Sequence, residues 1–113
     1  MTKTPTELES IVQTRIINYL KTVPGLHYFK VAQGPYSRGG VSDIICCYQG
    51  QLLAIEVKRP GGKPTVLQEK FIHDIRTAGG VAIIASSLDE VKATVTVMGT
   101  AVYQQTRQLA KIS

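Results

Sequence analysis

The chain has 113 residues, 43% of them apolar and 19% charged, with no Trp, two Cys and a net charge of +5. That length supports one domain over residues 1–113 and excludes two catalytic domains, a long repeat array or a multidomain assembly. No window approaches the ~18 consecutive apolar residues of a membrane span, and the polar opening Met1-Thr-Lys-Thr-Pro-Thr-Glu has no secretory-signal character, so a stand-alone cytoplasmic protein is expected.

Thr4-Pro5-Thr6-Glu7 is suited to opening a helix: Thr4 as cap, Pro5 at the first helical position, Glu7 completing a capping box. Leu8, Ile11, Val12, Ile16, Tyr19 and Leu20 then recur at helical spacing until Pro24-Gly25. Residues 27–32 read as a first strand and 33–40 as a glycine-rich loop. Residues 41–48 and 51–59 are β-rich runs separated by Gln49-Gly50 alone, a hairpin signal with glycine where a positive φ is needed. Cys46 and Cys47, adjacent in the first of these runs, suit buried thiols better than a disulfide or a zinc site. Residues 59–64 form a second loop. Thr65 and Gln68 repeat the capping box ahead of a helix through Leu67, Phe71, Ile72 and Ile75 to Gly79-Gly80. Residues 81–85 are a wholly apolar strand, consistent with burial on both faces. Ser87 to Glu90 looks like a third capping box, starting a helix through Val91 and Val95, and residues 100–112 fit either a strand or a helix. The order is helix, strand, hairpin, helix, strand, helix, which predicts an α/β fold with a central mixed β-sheet flanked by helices.

Two tripeptides share one spelling, Glu56-Val57-Lys58 and Glu90-Val91-Lys92. In a strand, residues two apart share a face; on a helix they do not. Glu56 and Lys58 are therefore a site candidate, and Glu90 and Lys92 a solvated helix surface. A two-residue turn at Gln49-Gly50 pairs Tyr48 with Gln51 and, five rungs on, Asp43 with Glu56. Two carboxylates would then face each other with Cβ atoms about 4.5–5.5 Å apart. Asp43 also begins the apolar run Ile44-Ile45-Cys46-Cys47, where an unpaired charge is costly. A positive charge belongs between them. Lys58 is one candidate and a divalent cation another; an all-oxygen set suits Mg²⁺ or Mn²⁺. The bland alternative has Lys58 neutralising one acid while the other reaches solvent.

Asp43 followed thirteen residues later by Glu56-Val57-Lys58 resembles the core motif of the PD-(D/E)xK nucleases, with a restriction-endonuclease-like core. More closely, the chain resembles the virus-type replication-repair nuclease (VRR-NUC) domain, in its stand-alone viral or bacterial form. The matching stretches are Glu9-x-x-x-Gln13, Gly40-Val41-Ser42-Asp43, Ile55 to Gly61, Gln68 and Gly79-Gly80-Val81-Ala82. They run from about Glu7 to Val91, with Ser42 standing where the superfamily pattern has proline. The resemblance implies that Asp43, Glu56 and the Val57 carbonyl hold Mg²⁺ or Mn²⁺, and that Glu9 reaches in from the first helix as a ligand or through water. It further implies that Lys58 positions or activates the attacking water or stabilises charge on the phosphate, with Gln68 orienting groups from the neighbouring helix. The implied activity is metal-dependent endonucleolytic hydrolysis of DNA leaving a 5′-phosphate, on branched substrates and four-way (Holliday) junctions in particular. A homodimer supplying paired sites is implied, in a bacterial or phage-infected cell.

Simpler readings exist for the outer members: Glu9 as a first-turn acid favoured by the helix dipole, and Gln68 as the capping partner of Thr65. Arg38, Arg59 and Lys63 are candidate contacts to backbone phosphates, and Tyr36 to a splayed base. The thirteen Lys and Arg are scattered, so the basic excess permits DNA binding without establishing it. His27 and His73 lack partners at metal-ligand spacing and read as structural. The competing functions are a nuclease for linear ends, flaps or duplex DNA, and a catalytically silent nucleic-acid-binding module.

Overall fold

The computed structural model describes residues 2–32 and 39–112. Helix α1 (Pro5–Leu20) starts as its sequence dictates. The Glu7 N–H donates to Thr4 Oγ1 at 3.1 Å, the Thr4 N–H donates to Glu7 Oε2 at 3.2 Å, and Pro5 occupies the first turn. Strand β1 (Leu26–Lys30) is followed by the hairpin of β2 (Ile44–Tyr48) and β3 (Gln51–Val57), then α2 (Val66–Thr77), β4 (Val81–Ala85), α3 (Leu88–Met98) and α4 (Ala101–Ile112). The ambiguous C-terminal stretch is a helix.

The four strands form one sheet in the order β1-β2-β3-β4. β1, β2 and β3 are an antiparallel meander, while α2 carries the chain over to β4, which pairs parallel with β3. The hairpin has the expected register, Tyr48 opposite Gln51 through Ile44 opposite Ile55. Its turn residues Gln49 and Gly50 have φ of 55° and 73°, the two positive values that a type I′ turn requires.

Alternation along the strands sorts the core into two layers. Ile44, Cys46, Leu53, Ile55 and Val57 pack under α1 (Val12, Ile16, Leu20) and α3 (Val91, Val95, Met98). On the other face, Ala54 and Ala82, with the partly buried Ile45 and Ile84, meet Ile72, Phe71 and Ile75 of α2. Each fully buried aliphatic side chain contributes about 1.5–3 kcal/mol, an upper estimate, so these layers hold the hairpin ends in place.

Three expectations are corrected. Only Cys46 is buried; Cys47, one residue along a strand, turns to the opposite face and is exposed. In β4 only Ala82 and Ala85 are buried, because β4 lies at the edge of the sheet. At α3, Ser87 Oγ accepts from the Glu90 N–H, but the Glu90 carboxylate takes the Ser86 and Ser87 hydroxyls in place of a backbone N–H, which is half a capping box.

At the turn end of the sheet, α4 is tied down by polar contacts. Tyr103 Oη donates to Gln51 Oε1 at 2.6 Å, Gln51 Nε2 donates to the Gly79 carbonyl at 2.9 Å, and Arg107 Nη1 donates to the Gln49 carbonyl at 3.0 Å. From Gln51 to the far end of β3 is roughly 20 Å, so α4 stands away from the acidic end of the hairpin. No helix among the described residues is long and apolar enough to cross a membrane.

Candidate active site

Asp43 lies one residue before β2, at the end of the hairpin opposite its turn. Its carboxylate continues the ladder where the backbone pairing stops: Oδ2 accepts the Val57 N–H at 2.8 Å, while its own carbonyl accepts the Val31 N–H at 2.8 Å. In an extended strand a residue's N–H and C=O turn to the same side. The Val57 carbonyl therefore faces β2 and Asp43 as well, and the Lys58 N–H turns the other way, to the Ala85 carbonyl at 2.9 Å.

Glu56, the next-to-last residue of β3, is 2% exposed and stands on the face covered by α2. Lys58 shares that face, with Nζ 3.7 Å from Glu56 Oε1. The other oxygen, Oε2, is buried with no hydrogen-bond partner. Burial in the first place, and the neighbouring Asp43 carboxylate in the second, push the Glu56 carboxyl up to about 8, against the opposing pull of Lys58. A buried acid held partly protonated, with one orphaned oxygen beside a second acid, lacks a counter-charge larger than one lysine supplies.

These groups line a cleft of about 600 Å³ together with Glu9 from α1, Gly39 to Val41, and Thr65 to Gln68 at the start of α2. Two packing features draw the walls together. Gly40 has φ +102°, and a Cβ there would lie 2.5 Å from the Leu67 carbonyl oxygen, so only glycine lets this loop meet α2. The Thr65 and Gln68 capping box is complete: the Thr65 N–H donates to Gln68 Oε1 at 2.8 Å and the Gln68 N–H to Thr65 Oγ1 at 3.2 Å. Gln68 thus has both properties read from its position; its oxygen caps the helix and the residue lines the cleft. Glu9 also lines a smaller recess with Gln13, Asp43 and Val57.

The structure brings Glu9, Asp43, Glu56, Lys58 and Gln68 to one cleft, from α1, the residue before β2, the end of β3 and the residue after it, and α2. Among the described residues no three His, Cys, Asp or Glu side chains are close enough to form a ready-made metal cluster; Asp43 and Glu56 interact as a pair, and Glu9 lines the same cleft. The donor set is nonetheless all oxygen, and the unpartnered Glu56 Oε2 beside Asp43 fits a hard divalent cation. Arg59 and Lys63 sit on the β3–α2 loop; Arg59 Nη1 makes a 3.4 Å contact to the Pro60 carbonyl, and Lys63 is exposed. Arg38 and Tyr36 fall outside the described residues. His27 and His73 are both exposed and neither lines the cleft. The second Glu-Val-Lys copy behaves as its helical setting requires, with Glu90 on the serine hydroxyls and Lys92 5.7 Å from the centre of the Tyr19 ring. Sequence reasoning missed Gly40 as a shaping residue and Val66 and Leu67 as lining; a glycine preceding an acid carries no sign of what it packs against.

A cavity of about 500 Å³ over β4, lined by Arg76, Val81, Ile83, Thr94, Val97 and Met98 among others, contains no acid, His or Cys and offers no such chemistry.

No protein-family model and no curated protein matches the sequence. Among solved structures, a "VRR_NUC domain protein" superposes with a TM-score of 0.61 at 22% identity, covering 78% of this chain and 84% of its own. The mixed four-stranded sheet with its flanking helices is accordingly the fold of a VRR-NUC domain.

Proposed function

We propose that the chain is a Mg²⁺- or Mn²⁺-dependent endonuclease that hydrolyses phosphodiester bonds in branched DNA, acting on four-way junctions as a homodimer. The observation that carries the nuclease reading is the buried Glu56, its Oε2 unpartnered beside Asp43 and its Oε1 3.7 Å from Lys58, in a cleft open to a phosphate.

Asp43 and Glu56 would hold the cation, with the Val57 carbonyl turned to the same side and Glu9 contributing from α1. A cation held there would acidify a water and neutralise charge on the phosphodiester oxygens. Lys58, 13% exposed at its side chain, would donate a hydrogen bond to a phosphate oxygen or orient the attacking water for in-line displacement. Its ammonium lies at the cleft, 3.7 Å from Glu56 Oε1. Gln68, whose Oε1 is committed to the helix cap, has its amide N–H bonds for substrate or water. Arg59, Lys63, Arg38 and Tyr36 would contact the DNA beyond the cleaved bond, the cations through its phosphates.

A count of sites supports the homodimer: the described residues of one chain offer one acid pair at the cleft, whereas resolving a junction takes two strand cuts, and a twofold dimer would provide both.

The test is incubation with Mg²⁺ or Mn²⁺ on a labelled four-way junction and the matching linear duplex, beside Lys58→Ala. Junction cutting that requires the cation and drops about 10²–10³-fold in the variant supports both the nuclease and its structure selectivity. Equal cutting of both DNAs keeps the nuclease and discards the resolvase. Binding without cutting of either moves the chain to a nucleic-acid-binding module.

A further inference from the structure

Val66 and Leu67, at the start of α2, are 81% and 57% exposed, and both line the cleft that holds Asp43, Glu56 and Lys58. Neither has a part in the hydrolytic chemistry. They are also firmly mounted. The Thr65–Gln68 capping box fixes the helix start, and the Leu67 backbone lies against Gly40 so closely that a Cβ there would sit 2.5 Å from its carbonyl oxygen and 2.9 Å from its Cβ. A Cβ on Gly39 would meet Leu67 Cδ1 at 3.1 Å. Two apolar side chains therefore stand on rigid backbone, exposed to water, at the wall of a charged cleft.

A continuous duplex offers phosphates and sugars at its surface and keeps its base faces stacked. On a continuous duplex, apolar side chains beside a phosphodiester meet only deoxyribose edges and thymine methyl groups; the full face of a base is reached where a step is opened, and apolar wedges act by entering it. At a branch, flap or gap the stack is already interrupted. We infer that Val66 and Leu67 form an apolar wedge against an unstacked nucleotide beside the scissile phosphate, and that this wedge makes the site select DNA with a broken stack over continuous duplex. The inference rests on the nuclease reading above for the placement of the phosphate. Charge favours DNA over a second copy of the chain as the occupant. Lys58, Arg59 and Lys63 lead directly into Val66, the chain carries a net charge of +5, and a twofold contact here would set this basic loop against itself.

The test has two arms. In the first, kcat/KM is measured on a flap DNA and on the matching continuous duplex for the parent chain, Val66→Ser, and Val66→Ser with Leu67→Ser. The flap-to-duplex ratio is expected to fall at least tenfold in the double variant and by less in the single one. A ratio unchanged within twofold overturns the wedge. In the second arm, 2-aminopurine is placed at the step next to the flap, and the Lys58→Ala background keeps the DNA uncut. Fluorescence is expected to rise on binding and to lose that rise in the double variant. A rise that survives the double variant, or no rise at all, overturns the inference. A parent chain that cuts no DNA sinks the nuclease reading, while the fluorescence arm still decides the wedge. Sedimentation closes the alternative: if the double variant converts a dimer to a monomer, the patch belongs to a second copy and the wedge is wrong.

Discussion

The Asp43 carboxylate ends the β2–β3 ladder in place of a backbone carbonyl, accepting the Val57 N–H at 2.8 Å. One side chain thereby does two things. It satisfies the last donor of the hairpin, and it sets an acid beside the buried Glu56. An amide can do the first and not the second. Asp43→Asn should keep the fold within about 1 kcal/mol, while Asp43→Ala, which leaves the Val57 N–H without its partner, costs about 1–3 kcal/mol. Both should lose cleavage. Denaturant titration and a cleavage assay separate the two effects, and equal destabilisation by the two variants would contradict this role for Asp43.

Glu56 predicts a pH dependence of opposite sign for stability and for cation binding. Its folded-state carboxyl is raised from 4.5 to about 8, chiefly by burial and next by Asp43. The fold therefore favours the protonated form. This contribution to stability is fully present below the unfolded value and is lost as pH rises through about 8. Relative to the parent, Glu56→Gln should thus gain stability between pH 5 and pH 9, by up to about 4 kcal/mol. Thermal melts at the two pH values check this.

Cation binding requires the charged form, so affinity for Mg²⁺ or Mn²⁺ should climb with pH up to about 8. At pH 7 binding should release most of one proton. Calorimetry in two buffers of different ionisation enthalpy measures that proton. Identical apparent heats in the two buffers would mean that Glu56 is already ionised.

Gly40→Ala should be disproportionately harmful. The position combines φ +102° with an approach of 2.5 Å to the Leu67 carbonyl, and the obstacle is backbone, which cannot turn aside. A loss above about 2 kcal/mol is expected, together with reduced cleavage as the Asp43 segment is displaced from α2. Gly50→Ala provides the comparison. It shares a positive φ of 73° but meets nothing within 4 Å, and should cost about 1 kcal/mol without affecting the cleft.

Tyr103→Phe removes the donor to Gln51 Oε1, leaving an acceptor at a residue 8% exposed. A loss of about 1–2 kcal/mol is expected, with faster amide exchange confined to α4. Because α4 stands at the turn end of the sheet, kcat on a given DNA should be unchanged. A matching fall in kcat would tie α4 to the site.

Much of this molecule follows from local sequence. Thr4-Pro5-Thr6-Glu7 and Thr65 to Gln68 satisfy their own helix starts within four residues. Gln49-Gly50 adopts the φ values its hairpin needs, and that turn length alone sets the register that brings Asp43 beside Glu56. The same logic separates the two Glu-Val-Lys copies, since strand and helix periodicity differ and only one places acid and lysine on one face.

What tertiary structure decided is whatever depends on partners distant in sequence. Residues 100–112 became a helix because Tyr103 and Arg107 reach Gln51 and Gln49, fifty residues and more away. Cys47 and the flanks of β4 are open because α2 covers only part of one face and β4 ends the sheet. Gly40 and Leu67 come into contact only once α2 has folded back over β3. The acid pair was legible because a short turn links its two strands. The cleft around it was not, because its walls come from segments that meet only after the core between them has formed.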